Sequence, residues 1–435
     1  MEAVLLFLWG AVSMHFYPIY LFLCSEYRCI LFYFSRCNML HHLLRATAFT
    51  VASLVLSQAT HASEGPQLER WRSYAGVTWE QPKDSQLPAP FAASVSAPIA
   101  GLHFDARGTA YVSTPRLVAP GAPATLSRLN TAVKAGPAQL TAFPSIERNA
   151  VDGPPELSLR NVLGFYVDQH NGWLWALDMG FVAGESEAPK GAQKVLVLDL
   201  ASGRTVKSFS LDSVADRAGS FLNDIAVDER RRMAYIADSG MRSAPHNQVG
   251  LIVLDFDSGK VRRVLDRHAK LQVEAGVHVV SHGAEVWPGQ PLLIGINGIA
   301  LAPTGDTLYW TVTTGRHAYA LSTALLRQPG ASEAQIAAQI VNLGAVGGNT
   351  DGIVTNALGN LFITDVSRNG IVQYQPSTGK MSLLAADDGV FWPDTPAIGP
   401  DGDLFFTSSA LNQHFAGKVK SGDERYEIWR LQLKR

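Results

Sequence analysis

Apolar and polar positions along the chain fall into one unit that recurs six times. Each copy runs from a small or polar residue into an apolar strand, a Gly- or Asp-bearing turn, and an apolar–aromatic strand. The copies open at Ala100-Gly-Leu-His, Leu163-Gly-Phe-Tyr, Asn223-Asp-Ile-Ala, Asn297-Gly-Ile-Ala, Asp351-Gly-Ile-Val and Asp394-Thr-Pro-Ala. A third apolar run follows in each, as in Val195-Leu-Val-Leu and Leu251-Ile-Val-Leu, and three of these end in Ser-Gly or Thr-Gly turns. Gly in such short loops supplies the positive φ a tight hairpin needs. Short strands repeated at this period predict an all-β fold, a six-bladed β-propeller. The sixth copy stops at Leu433 after its third strand, so the stretch Leu68–Ala75 is expected to complete the last blade and remove a sheet edge.

Targeting signals change the reading of the first part of the chain. Met39–Arg45 is a short basic segment, Ala46–Leu56 an apolar core, and Ala59-Thr-His-Ala62 offers small residues for cleavage. That tripartite order predicts a signal peptide over 39–62, a propeller over 63–435, and a periplasmic or extracellular location. Residues 1–38 leave two readings open: an over-extended start, which a self-sufficient Met39–Ala62 favours, or a membrane anchor from Val4 to Leu23. In the second case alone would the protein engage a membrane.

Composition narrows the chemistry. All three cysteines (Cys24, Cys29, Cys37) lie in the prefix, so the expected mature chain excludes disulfides and thiol catalysis. Removing residues 1–62 takes 3 basic and 2 acidic groups from 36 and 38, leaving 33 against 36, a net charge of −3. That balance gives no footprint for nucleic acid. Aligned by repeat, the strand openers read Ala100, Leu163, Asn223, Asn297, Asp351 and Asp394. Amides and carboxylates clustered at one mouth of a central channel suit a small-molecule ligand or a metal; alternatively they cap strand-entry turns. Asp178, Asp238 and Asp365 end equivalent second strands and are expected to be turn carboxylates. His278 and His282 with Glu285 lack a convincing third ligand for zinc and read as loop residues, in an insertion suited to covering the channel. His103 and His170 read as ordinary blade residues, and Tyr111, Trp175, Tyr235 and Tyr309 as inter-blade core.

Tyr111-Val-Ser-Thr-Pro-Arg, followed by Gly121-Ala-Pro-Ala-Thr-Leu, resembles a characteristic element of the yellow / major royal jelly protein family. Gly172-Trp-Leu-Trp-Ala-Leu-Asp, Ala234-Tyr-Ile-Ala-Asp-Ser and Leu404-Phe-Phe-Thr-Ser-Ser match the family in the same order. The resemblance implies the propeller and, in its bacterial members, a relation to L-dopachrome tautomerases; other relatives only bind biogenic amines. On that reading Asp351 is the expected base, with Asn223 and Asn297 as orienting donors and Asp394 as a further ligand contact. The chain is also similar to the senescence-marker / gluconolactonase propellers, which hold a calcium-type ion with Glu, two Asn and Asp. That likeness implies Asn223, Asn297 and Asp351 as metal ligands for lactone hydrolysis, although Ile99-Ala100-Gly101 stands where the Glu is expected. A non-catalytic binding protein is the third expectation.

Overall fold

The structure is a computed structural model that describes residues 19–25, 28–34, 66–80, 97–420 and 422–433. The chain divides into two units, Met1–Glu64 and Gly65–Arg435. In the first, β1 (Ile19–Ser25) and β2 (Arg28–Phe34) pair as an antiparallel hairpin. The expected signal peptide lies outside the described residues, as does most of the segment considered as an anchor. No helix among the described residues is long and apolar enough to cross a membrane.

The second unit is an all-β, propeller-like fold. It begins with β3 (Leu68–Trp79), followed by β4 (Leu102–Phe104), β5 (Ala110–Ser113), β6 (Leu126–Leu129) and β7 (Ala135–Ala142). Next come β8 (Val162–Asp168), β9 (Trp173–Asp178), β10 (Lys194–Asp199) and β11 (Thr205–Ser210). The third group is β12 (Leu222–Asp228), β13 (Met233–Asp238), β14 (Gly250–Asp255) and β15 (Val261–Val264). A small hairpin, β16 (Val280–Ser281) and β17 (Ala284–Glu285), precedes β18 (Ile296–Leu301), β19 (Thr307–Val312), β20 (His317–Ser322) and β21 (Val341–Ala345). The last strands are β22 (Thr350–Thr355), β23 (Leu361–Asp365), β24 (Gly370–Gln375), β25 (Lys380–Ala386), β26 (Pro393–Ile398), β27 (Leu404–Ser408) and β28 (Tyr426–Leu431).

Four groups form separate four-stranded meanders, and the rest join in one eight-stranded sheet ordered β26-β27-β28-β3-β7-β6-β5-β4. In that sheet β3 pairs antiparallel with β28, from Leu431↔Leu68 to Tyr426↔Tyr74, and parallel with β7 from Ser73↔Ala135 to Trp79↔Leu140. The register shifts between Tyr74 and Val77, where Gly76 adopts φ 90°, so one strand turns from the last copy of the repeat to the first. First strands pack side by side in the order β4, β8, β12, β18, β22, β26 and back to β4. The repeat's glycine explains how closely they approach. A Cβ on Gly298 would stand 2.5 Å from the Asp351 carbonyl oxygen, and one on Gly352 would stand 2.6 Å from that of Asp394.

Between the sheets, Trp175, Phe209 and Ile252 belong to one apolar cluster, and Tyr235, Trp310 and Leu321 to the next. The aromatic residues Tyr111, Trp175, Tyr235 and Tyr309 are buried in such clusters. Arg116, from the Pro-Arg element, is equally buried, and among the described residues no carboxylate bonds to it. Its guanidinium donates to the carbonyls of Ala122 (2.9 Å), Pro123 (3.1 Å), Asn149 (2.7 Å), Leu159 (3.2 Å) and Arg160 (2.7 Å). Burial lowers its pKa to about 10, which leaves it charged at neutral pH. That element is therefore a bolt between loops.

Candidate functional site

Five of the six strand openers sit where the inner strand slips register against its partner. The shifts fall between Val162 and Phe165, Leu222 and Asp224, Ile296 and Ile299, Thr350 and Ile353, and Pro393 and Pro396. A bulge bends the strand and re-aims the side chain it contains. Here it brings Asn223, Asn297, Asp351 and Asp394 together at one end of the channel.

A hydrogen-bonded chain links three of them. Asn223 Nδ2 donates to Asn297 Oδ1, and Asn297 Nδ2 donates to Thr313 Oγ1 (2.6 Å) and Asp351 Oδ1 (2.5 Å). Trp392 Nε1 occupies the other Asp351 oxygen at 2.6 Å. Below lies a lumen of about 120 Å³, lined by Asn223, Asp224, Asn297, Asp394 and Thr395 towards the polar end and by His103 and Tyr166 among others. Asp351 is not part of that wall. Asp394 is: Thr395 Oγ1 donates to its Oδ1 at 3.3 Å, while Oδ2 is buried without a hydrogen-bond partner among the described residues.

Asp224 is the site residue that the repeat reading passes over. It takes the second position of the motif, where four other copies carry Gly, and its carboxylate accepts from the amides of Ile225 (2.8 Å) and Ile299 (3.2 Å). The same break in the glycine pattern recurs at Thr395, and both residues line the lumen. That departure from the repeat is the sequence signal that marks them. His103 also faces the lumen, with its ring 5.3 Å from Phe165 and 5.4 Å from Tyr166. Burial lowers its pKa to about 4, so it is neutral.

Burial also governs the carboxyls. It raises Asp224 and Asp351 to about 7, in Asp351 against the lowering effect of the Trp392 and Asn297 hydrogen bonds. Asp394 is pushed well above the usual range, first by burial and then by the neighbouring charges of Asp351 and Asp224. Three acidic groups that ionise reluctantly for want of compensating charge make an environment that favours a cation. Among the described residues no three His, Cys, Asp or Glu side chains are grouped to hold a metal ion. A hard divalent ion seated here would need oxygens from Asp224, Asp394 and the Asn223 amide, completed by water.

The polar end of the channel is roofed. Val279, Val286, Leu292 and Ile294, from the segment before β18, form one apolar cluster with Ala100, Val366, Trp392 and Leu411. Hydrogen bonds pin this plug: Val280 N to Asn349 Oδ1 (3.1 Å), Trp287 Nε1 to Asn412 O (3.3 Å) and Ile294 N to Thr314 Oγ1 (2.9 Å). Within it His278 Nδ1 meets Glu285 Oε1 at 2.7 Å, and His282 stacks on Phe391 at 4.2 Å. These histidines thus serve the loop.

The other recurrent aspartates hold turns. Asp178 pairs with buried Lys194 at 2.7 Å, Asp238 with Arg263 at 2.8 Å, and Asp365 with Arg368 at 2.6 Å. Each also accepts an amide proton from the turn that follows it, from Gly180, Gly240 and Arg368 respectively.

The family model for the major royal jelly proteins matches residues 161–435. No curated protein matches the sequence significantly. Among solved structures, the chain is similar to a calcium-binding protein, regucalcin, from Agrobacterium tumefaciens: 15% identity, TM-score 0.46, covering 78% of this chain and 93% of that one. It is likewise similar to a gluconolactonase from Xanthomonas campestris, with 16% identity, TM-score 0.45, and coverage of 78% and 86%. A streptogramin B lyase matches at 11% identity and TM-score 0.43, covering 86% of this chain and 100% of that one.

Proposed function

The chain belongs to the major royal jelly protein family, and from that premise we propose that it is an exported six-bladed β-propeller binding a small, positively charged polar molecule in its lumen. The ring order of the inner strands supports the count of six, with the eight-stranded sheet read as two blades stitched by β3. Export rests on the tripartite pattern of Met39–Ala62. One observation carries the ligand reading: Asp394 Oδ2, buried and unpaired, shares the lumen wall with Asp224. A buried acceptor without a donor calls for a partner, and beside a second carboxylate a cation is the partner that also relieves the charge.

Volume bounds the ligand. About 120 Å³ is close to the ~150 Å³ void that takes up benzene, so the lumen has room for an ion with its water or for one ring. Thermal melts with calcium and with dopamine, as a one-ring amine, test this. Either cation should raise the melting temperature by mass action, and Asp394→Asn should abolish the rise. A rise that survives Asp394→Asn would overturn the reading.

Turnover is a second reading, favoured by an Asp351 carboxyl poised near neutrality, where a proton acceptor works best. In a dopachrome-type tautomerisation Asp351 would take the carbon-bound proton and return it to the substrate oxygen, while the Asn223 amide holds the developing oxyanion, joined by Asn297 once its Nδ2 releases Thr313. Trp392 would first have to release Oδ2. Turnover that resists chelator and vanishes in a folded Asp351→Asn variant supports this route; turnover indifferent to the substitution removes it.

A further inference from the structure

The plug has a consequence for how anything reaches the lumen. The carboxylate-bearing end is closed by an apolar cluster whose strands and loops are tied to the rim by Asn349, Asn412 and Thr314. At the far end of the inner strands the picture reverses. The lumen wall there consists of Tyr166, Val227, Leu301 and Thr355, and the same four residues also line a second, wider cavity of about 350 Å³. That outer cavity is bounded by the turns after β12, β18 and β22, including half-buried Glu229 and exposed Arg230, Thr304 and Ala357. Those four residues stand between the two cavities and line both.

We infer that the lumen is reached from this face, opposite the plug, through a neck formed by Tyr166, Val227, Leu301 and Thr355. The neck is held in shape by hydrogen bonds. Tyr166 OH donates to Glu229 Oε1 at 3.0 Å, whose other oxygen accepts from His170 N at 2.9 Å, and Thr355 Oγ1 donates to Leu301 O at 2.5 Å. Glu229 and Arg230 set one charge of each sign at the approach to the neck. A ligand would thus pass Tyr166 and His103 before meeting Asp224 and Asp394. The inference rests on the lumen being the binding site, but the geometry of access can be measured separately.

Cysteine accessibility does so, because the only native cysteines are Cys24, Cys29 and Cys37 and can be replaced by Ser. In that background Thr355→Cys, Ala300→Cys and Thr395→Cys report from the neck, the middle and the inner end of the lumen. A cationic methanethiosulfonate should label them at rates falling in that order. Thr355→Trp or Leu301→Phe, narrowing the neck, should slow labelling of Thr395→Cys by about tenfold or more. Val286→Ala combined with Trp287→Ala, which loosens the plug, should leave that rate unchanged. The reverse order of labelling, or acceleration on loosening the plug, would overturn the inference. Calorimetric titration with calcium and with dopamine judges the binding reading independently: if neither binds while the labelling order holds, the ligand reading fails and the route of access stands.

Discussion

Asp224, in the lumen wall, and Asp351, beside it, couple the site to pH. Their carboxyls ordinarily titrate near ~3.9, and burial in the fold pushes both up to about 7. A folded-state value raised above the unfolded one means that the folded chain holds protons more tightly. The stability this contributes is fully present below about pH 4 and is lost as pH rises through about 7. The melting temperature of the cation-free protein should therefore fall across that window, and Asp224→Asn, which cannot ionise, should flatten the fall. Melts at pH 5 and pH 8 decide it; an unchanged difference between the two pH values in the variant would sink the assignment. Arg116 offers a contrasting case, since its five donors end on backbone carbonyls. Arg116→Ala should cost on the order of 3 kcal/mol or more by leaving several of them unsatisfied, measurable by denaturant unfolding. Arg116→Lys should rescue little, because an ammonium has three donors and no planar fork.

Among elements, β3 is the one whose removal should be felt farthest away. Deleting Leu68–Ala75 strips β28 of its neighbour and removes the Ser73 and Tyr74 pairs with β7, leaving those of Val77–Trp79. The expected outcome is a lower melting temperature for the entire domain in a single transition; an unaltered melt would refute the role of this strand. The role of Leu68–Ala75 beside the last copy was legible from its position before the first repeat and from the missing fourth strand. Its parallel continuation over Val77–Trp79 was not, because alternation specifies a face and says nothing about which edge a strand meets. The same limit applies at the site. Repeat phase located Asn223, Asn297, Asp351 and Asp394, since equivalent positions in a ring converge. It could not show that a bulge turns Asp351 towards Trp392 and leaves Asp394 facing the lumen. His103, read as an ordinary blade residue, shows the problem from the other side: in a three-residue strand, β4, the lumen face differs from the core face only through the neighbours supplied by other repeats.

For the whole molecule, export predicts a mature species beginning near Ser63, which intact mass of periplasmic material would establish; a mature chain retaining Cys24 to Cys37 would contradict it. The stitch made by β3 then acquires a meaning in time. Within the propeller-like unit β3 is made before every other strand, yet its antiparallel partner Tyr426–Leu431 is made after them all. Until Tyr426–Leu431 emerges, Leu68–Tyr74 has an open edge, and such edges recruit other strands. A prematurely terminated chain would carry that open edge at its own beginning, exposed to proteases and to aggregation. The sheet that joins the first and last copies of the repeat is therefore completed only once Tyr426–Leu431 has emerged, so its pairing with Leu68–Tyr74 marks a chain that has reached its last repeat.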